Sequence, residues 1–418
     1  MKILVLSRFA PGDGSGGAAL RISQNLHALG RMGEVDVLTV GLPETSRPVP
    51  GIRHWEARGV RSLSARRRFR ETLRNRLWPL RPGAHPELDM YHHLEVEAWL
   101  RRRCREERYD AIVMEELVFG RYLDTLRAAG AAVVYDAHNV EGVLHETIGA
   151  DSHWAAGGRV SAALKRWLLR GRMKREERRV VRGVDAVWCC SALDAEGMRS
   201  HYGPLSVPLE VVPNAIDVRR YRELPPPDGA AWTRDEMTLL FVGSYAYPPN
   251  EAAALRLIQG VLPALRAMGR RARVRLVGRG VTGRMREAAA TDDAVDLVGS
   301  VDSVLPVLAE PCVVVLPITA GGGTRLKVLE AFAAGRPVVS TGKGAEGIDA
   351  TDGRELLLAE DDRTLAEAAC RVWDDAGLRV DLCRRARELV EARYSWEAVA
   401  AIIEHALSRV AGQRNRRG

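Results

Sequence analysis

The chain has 418 residues, too many for one ordinary domain and enough for two, each with a sizeable core. Apolar residues make up 46% and charged residues 28%, which excludes a disordered or fibrous chain. The net charge of +8 is carried by arginine, but no zinc-finger, helix-turn-helix or RNA-stacking pattern accompanies it, so no nucleic-acid partner is expected.

The first apolar run, Ile3–Leu6, is strand-sized, and no stretch of about 18 apolar residues exists; neither a secretory leader nor a membrane span is expected. In the first half, β-branched runs predict strands at Ile3–Ser7, Val35–Val40, Ala111–Glu115, Ala132–Asp136, Ala186–Ser191 and Glu210–Val212. Helical patterns fall at Ala18–Leu29, Pro86–Glu107, Phe119–Ala129 and Arg159–Val181. Two stretches are strongly basic, Arg66–Arg81 and Lys165–Arg182. Each reads as a solvated helix face packed on its own domain, or as a basic amphipathic helix on an anionic membrane surface; the first reading is preferred. The segment His54–Pro86 is the least patterned part of the chain.

Alternation breaks at Asn214–Trp232, where Leu224-Pro225-Pro226-Pro227-Asp228-Gly229 is a cluster of breakers. The expected organisation is therefore a first domain over 1–213, a linker over 214–235, a second domain over 236–395, and a last helix from 396 that crosses back to the first domain and ends in a frayed tail. Strands of the second half are predicted at Leu239–Val242, Val274–Val277, Val295–Val298, Val313–Leu316, Val338–Ser340 and Leu356–Leu358. Helices are predicted at Glu251–Ala267, Ser303–Leu308, Arg325–Ala334, Thr364–Asp375 and Trp396–Val410. Strand–helix alternation in both halves predicts an α/β protein made of two doubly wound, Rossmann-like domains facing across a cleft. The six cysteines lack CxxC spacing, and the adjacent Cys189 and Cys190 read as buried thiols. A reducing cytoplasm is expected, with neither a zinc site nor a disulfide framework.

The most informative segment is Gly321-Gly322-Gly323-Thr324-Arg325-Leu326-Lys327-Val328-Leu329-Glu330. It follows a buried strand and opens a helix. Glycines let a ligand approach the backbone, Thr324 is a good N-cap, and a helix N-terminus suits a phosphate. Arg325 and Lys327 add full charges in the first turn, and Glu330 can accept from ribose hydroxyls. Gly243 ends another strand in the same half. In the first half, Gly14-Ser15-Gly16-Gly17 lies between a strand and a helix, with Arg21 one turn on, either assisting a ligand or simply solvated. Tyr135-Asp136-Ala137-His138-Asn139 places a histidine just past a strand end, where an imidazole can donate or shuttle a proton. Ser191 reads as a helix cap and Asn214 as fixing a turn. Glu141 faces an acceptor or caps a helix, and Glu115 and Glu116 read as surface or strand-end residues. No Asp-x-Asp triplet occurs, so no metal and no cofactor are expected.

These residues, with Val212-Pro213-Asn214-Ala215-Ile216-Asp217, Phe241-Val242-Gly243-Ser244, Tyr247-Pro248-Pro249-Asn250, Gly335-Arg336-Pro337-Val338-Val339-Ser340 and Ala345-Glu346-Gly347, resemble the retaining glycosyltransferase family 4, of GT-B fold, over nearly the whole chain. The nearest branch reads G-x-G-T-R-x-K-x-x-E. The resemblance implies a nucleotide diphosphate sugar as donor, held mainly by the second half, and a hydroxyl acceptor. Gly16, Gly17, Gly243, Gly322, Gly323, Thr324 and Glu330 would bind the donor. His138, Arg325 and Lys327 would act at the reacting bond by a front-face displacement with retention. Two positions depart from the family pattern. Gly322 stands where the first glutamate of E-x7-E is usual. Ser244 and Asn250 occupy the region where many members place Arg and Lys on the diphosphate. Arg325 and Lys327 are expected to supply that charge. The expected location is cytoplasmic, with membrane contact at the inner face if the basic helices bind there. Two alternatives stay open, a catalytically silent sugar-nucleotide-binding subunit and a GT-B sugar-nucleotide epimerase.

Overall fold

The computed structural model describes residues 1–10, 16–41, 51–58, 83–147, 159–228, 232, 236–322 and 325–415. The chain divides into two compact units, Met1–Asn214 with Val399–Gly418, and Ala215–Ala398.

The first unit is built on a seven-stranded sheet among the described residues. Its strands are β1 (Lys2–Ser7), β2 (Glu34–Val40), β3 (Ile52–Arg58), β4 (Ala111–Glu115), β5 (Ala132–Ala137), β6 (Ala186–Cys189) and β7 (Leu209–Val211). Their order is β3-β2-β1-β4-β5-β6-β7 and every pairing is parallel. Runs such as Ile3-Leu4-Val5-Leu6 and Ala111–Met114 are apolar at every position because helices cover both faces of a parallel sheet. The core joins Leu4, Leu38, Ile112, Met114, Val133 and Val187 to Trp99, Phe119 and Tyr122 from the helical layers.

The second unit repeats the plan with β8 (Glu236–Val242), β9 (Arg271–Val277), β10 (Val295–Gly299), β11 (Val313–Leu316), β12 (Val338–Ser340) and β13 (Leu357–Leu358), in the order β10-β9-β8-β11-β12-β13, all parallel. Each sheet therefore reverses direction beside its first strand, at β1/β4 and at β8/β11. Open α/β sheets bind ligands outside the strand ends at such a switch point. The predicted α/β class with two Rossmann-like domains is what is found.

Several predicted elements differ in detail. The helix expected over Pro86–Glu107 is two helices, Pro86–Met90 and Leu94–Glu106. The Tyr122 hydroxyl accepts from His93 N at 2.8 Å and donates to Tyr91 O at 2.7 Å, satisfying the backbone at the break. Phe119–Ala129 is a 3₁₀ turn, Leu117–Tyr122, followed by the helix Leu123–Arg127. Glu251–Ala267 begins earlier, at Pro248, and carries a π-helical segment at Leu257–Val261. Pro263, near the start of the next helical stretch, has no N–H to continue the ladder, and the wider turn absorbs that loss. Strand β3 was not expected: its charged sequence Ile-Arg-His-Trp-Glu-Ala-Arg suits a sheet edge, where charge discourages further pairing. Helices Gly283–Ala290 and Ala376–Arg393 were also unforeseen. The basic stretch Arg66–Arg81 lies outside the described residues.

Candidate functional site

In the first unit the site residues gather at the carboxyl ends of β1, β4 and β5. Gly16, at φ 110°, ψ 166°, precedes the helix Gly17–Met32 in a conformation open to glycine, and its carbonyl accepts from Leu20 N. Gly17 is the first residue of that helix. One turn on, Arg21 is only 1% exposed, so it is not the solvated side chain allowed for above. It pairs bidentately with Asp136 and donates to Val212 O and Asn214 Oδ1, both at 2.9 Å. Asn25, one further turn along, is fully buried. Its amide donates to Asp136 Oδ2 at 2.8 Å and to Glu115 Oε1 at 3.0 Å.

Glu115 and Asp136 are register partners on adjacent strands, which forces two carboxylates side by side. Glu115 is the last residue of β4, the strand-end alternative of its reading, but it is fully buried and not on the surface. His138, one residue beyond β5, places Nε2 at 3.0 Å from Glu115 Oε2 and 3.4 Å from Asp136 Oδ2. Its Nδ1 lies 3.7 Å from Glu116 Oε1. Glu116 is itself bound bidentately by Arg8 and holds φ 72°, strained for a residue with a Cβ.

Electrostatics follow from this crowding. Burial opposes the His138 charge, yet Glu116, Asp136 and Glu115 outweigh it and lift the imidazolium to about 10. Burial, reinforced by Asp136 alongside, pushes Glu115 up to about 7. Asp136 is desolvated too, but Arg21 and His138 hold it far below the usual carboxylate range. The ligand atoms of Glu115, Asp136 and His138 lie within 4.8 Å of one another, near enough to surround a cation. Arg21, Asn25 and His138 already engage those carboxylate oxygens, so the protein closes the cluster by itself.

In the second unit the site lies at the ends of β8 and β11. Gly243 follows β8, and a Cβ there would come within 3.1 Å of both Lys327 Nζ and Asn250 Nδ2. Glycine at 243 thus makes room for these side chains. The carbonyl of Gly243 would in turn meet a Cβ on Gly278 at 1.7 Å, so a second glycine is needed where β8 and β9 end together. After β11 the chain passes Gly321, at φ 99°, and Gly322 to the helix Leu326–Ala333. Arg325 occupies the N-cap position with no side-chain cap bond; the cap had been expected at Thr324. Thr324 and Gly323 lie outside the described residues.

Arg325 is buried and donates to Gly322 O at 3.0 Å and Lys343 O at 3.4 Å. Lys327 Nζ donates to Asn250 Oδ1 at 2.8 Å and sits 4.2 Å from the Phe241 ring centre. Burial, with Arg325 nearby, pulls the Lys327 ammonium down to about 7, against an upward pull from Glu330. Glu330 is three residues on, hence on the same helix face. Its Oε1 accepts from the buried Tyr221 hydroxyl at 3.1 Å. Burial raises the Glu330 carboxyl, partly offset by Tyr221, Arg220 and Lys327.

The second unit thus brings Gly243, Gly322, Arg325, Lys327 and Glu330 to one end of its sheet, and the first surrounds His138 with charge. Sequence reading missed Asn25, Glu115, Glu116 and Tyr221. Only Tyr221 left a signal, four residues past Asp217 in the recognised Asn-Ala-Ile-Asp string.

Comparison with known proteins follows the same division. Residues 14–215 match the glycosyl transferase 4-like domain, and residues 236–375 match glycosyl transferases group 1. No curated protein sequence matches the chain. Among solved structures, sucrose-phosphate synthase from Thermosynechococcus elongatus is similar with a TM-score of 0.70 at 19% identity, over 99% of this chain and 100% of that one. Anabaena HepE is similar at 0.66 and 15%, over 98% and 100%. WaaG, a glycosyltransferase involved in lipopolysaccharide biosynthesis, is similar at 0.64 and 14%, over 99% and 100%. With a glycosyl transferase domain model on each Rossmann-like unit, the chain is a glycosyltransferase of the GT-B type.

Proposed function

We propose that the protein transfers a glycosyl group from a nucleoside diphosphate sugar to an acceptor hydroxyl, with retention at the anomeric carbon and without a metal ion. The observation that carries this reading is Lys327. Its ammonium is held at the switch point of the second sheet by a neutral amide and an aromatic face, one helical turn before a carboxylate. A cation so placed gains strongly from an anionic ligand, because its hydrogen-bond partner is neutral and only Glu330, one turn away, offsets its charge. Arg325 lies in the same first turn. As the glycosidic bond breaks, charge grows on the departing diphosphate, and preorganised cations aimed at it lower the barrier. Glu330 accepts from the ribose, and His138 donates to the sugar. Anabaena HepE, solved with UDP and with UDP-glucose, supports a nucleotide sugar as the donor class.

Isothermal titration with UDP, GDP, dTDP and ADP tests the donor site. One of them should bind, and Arg325→Ala with Lys327→Ala should weaken it sharply; unchanged affinity sinks the proposed diphosphate contact. Release of free nucleoside diphosphate only when acceptor is added separates a transferase from a silent subunit. Turnover of the sugar nucleotide alone would mark an epimerase. The anomeric configuration of the product, read by NMR, decides retention.

A membrane-associated acceptor is favoured by the helix Arg159–Gly183. Trp167 is 71% exposed there, and Arg175, Arg178 and Arg182 are exposed along the same face. A tryptophan continued by arginines suits an anionic lipid surface. Among the described residues no helix is long and apolar enough to cross a membrane. Co-sedimentation with phosphatidylglycerol vesicles but not with phosphatidylcholine vesicles, lost in Trp167→Ser/Arg175→Gln/Arg178→Gln, is the expected result.

A further inference from the structure

We propose that Glu115 is the positioning residue of His138: it fixes the imidazole through Nε2 and keeps it charged, so that Nδ1–H is the donor offered to a sugar oxygen. The inference rests on the reading of His138 given above. It starts from a charge count. Five ionisable side chains meet at the ends of β4 and β5: Arg21, Glu115, Glu116, Asp136 and His138. Arg8 enters from the end of β1 and neutralises Glu116. Arg21 enters from the helix Gly17–Met32 and neutralises Asp136. Cys190, just past β6, donates to the His138 carbonyl and is kept as a neutral thiol by its burial. Among the described residues Glu115 forms an ion pair with His138 alone, Arg21 acting on it only through space while bound to Asp136.

A fully buried carboxylate must be protonated or paired. The geometry chooses pairing. Asn25 donates to Oε1, fixing the rotation of the carboxylate and leaving Oε2 for His138 at 3.0 Å. Asn25 also bonds Asp136, so the two carboxylates are held together rather than relaxing apart. His138 then binds through Nε2, and its other nitrogen stands 3.7 Å from the nearest carboxylate oxygen, beyond hydrogen-bond range. A charged ring has a proton on each nitrogen, so Nδ1 is the donor left for a ligand. A neutral ring carries one proton only, and Glu115 would take it.

Selective ¹⁵N-histidine labelling tests this directly, since the chain has only ten histidines. His138 is assigned by its loss in His138→Gln, and its ring nitrogens are followed from pH 6 to 10. The expected result is both nitrogens protonated through pH 8 in the wild type. In Glu115→Gln, which keeps the shape and removes the charge, the ring should titrate about 1–2 pH units lower. A neutral ring at pH 7.5 in the wild type overturns the proposal, and this arm stands even if Glu115→Gln does not fold. Unchanged titration in a folded Glu115→Gln overturns it as well. A His138→Gln variant that still transfers sugar at the wild-type rate fails differently: it overturns the catalytic reading of His138 and leaves the charged pair as structure only.

Discussion

The two units share a sheet topology and place charge at the same point of it, yet they treat that charge in opposite ways. At the end of the first sheet, Arg8, Arg21, Glu115, Glu116, Asp136 and His138 neutralise one another through bidentate pairs and a charged hydrogen bond. At the end of the second, Lys327 rests on Asn250 and Phe241, and Arg325 on backbone carbonyls. A closed network spends its electrostatic energy within the protein and yields a fixed geometry. Lys327, hydrogen-bonded to a neutral amide, keeps its attraction for a ligand. The first arrangement suits orientation of a reacting group, the second suits capture of a diphosphate.

Breaking the closed network should have the largest effect. Arg21→Met takes the bidentate partner from buried Asp136 and leaves it only Asn25 and the His138 that Glu115 shares, and a loss of about 3–5 kcal/mol in unfolding free energy is expected from urea titration. Adding Asp136→Asn to it should recover part of that loss, because the stranded charge is then removed. In the open site, Lys327→Ala should not lower the urea midpoint and should weaken nucleoside diphosphate binding by about 1.5–3 kcal/mol, roughly 10- to 150-fold by calorimetry. Equal destabilisation by the two substitutions would erase the contrast between the units.

A smaller effect sharpens it. Tyr221→Phe removes one hydrogen bond to Glu330 and should cost about 0.5–1.5 kcal/mol of donor affinity, read as a raised KM at unchanged kcat. The smallest is in pH. Burial depresses Lys327 to about 7, so the ligand-free folded protein releases this proton below the pH at which the unfolded chain does. The unfolded chain then binds more protons above pH 7, and the contribution of Lys327 to ligand-free stability rises with pH from there to the ordinary lysine range. Diphosphate binding needs the charged form and should take up a proton above pH 7, with affinity declining as pH rises. Calorimetry in two buffers of different ionisation enthalpy measures that uptake, and Lys327→Met should abolish it.

Much of the architecture was legible in advance. Val313–Leu316 and Val338–Ser340 are strands with the bounds expected, because their valine runs suit strands buried on both faces. Ser191 caps its helix as read, accepting from Asp194 N at 3.1 Å, since a capping bond spans three residues. The break at Tyr91–His93 was not legible, because the hydroxyl that stabilises it comes from Tyr122. Arg21 reads as assisting a ligand or as solvated because arginines are mostly exposed, and its partner Asp136 is 115 residues away.

The sequence by itself determined the alternation of strands and helices, the two-unit plan, and the glycines and charged residues at the ends of β8 and β11. Those are set by local periodicity and by the spacing of residues within one loop and one helix turn. Tertiary structure alone decided which charges are paired. Placing Glu115 against Asp136 is a consequence of strand register, and bringing Arg21 and Asn25 onto them depends on how one helix lies across the sheet. Lys327 settling on Asn250 depends on two strand ends meeting. Coulomb energy falls off with distance in space, not along the chain, so such pairings are invisible until the fold closes.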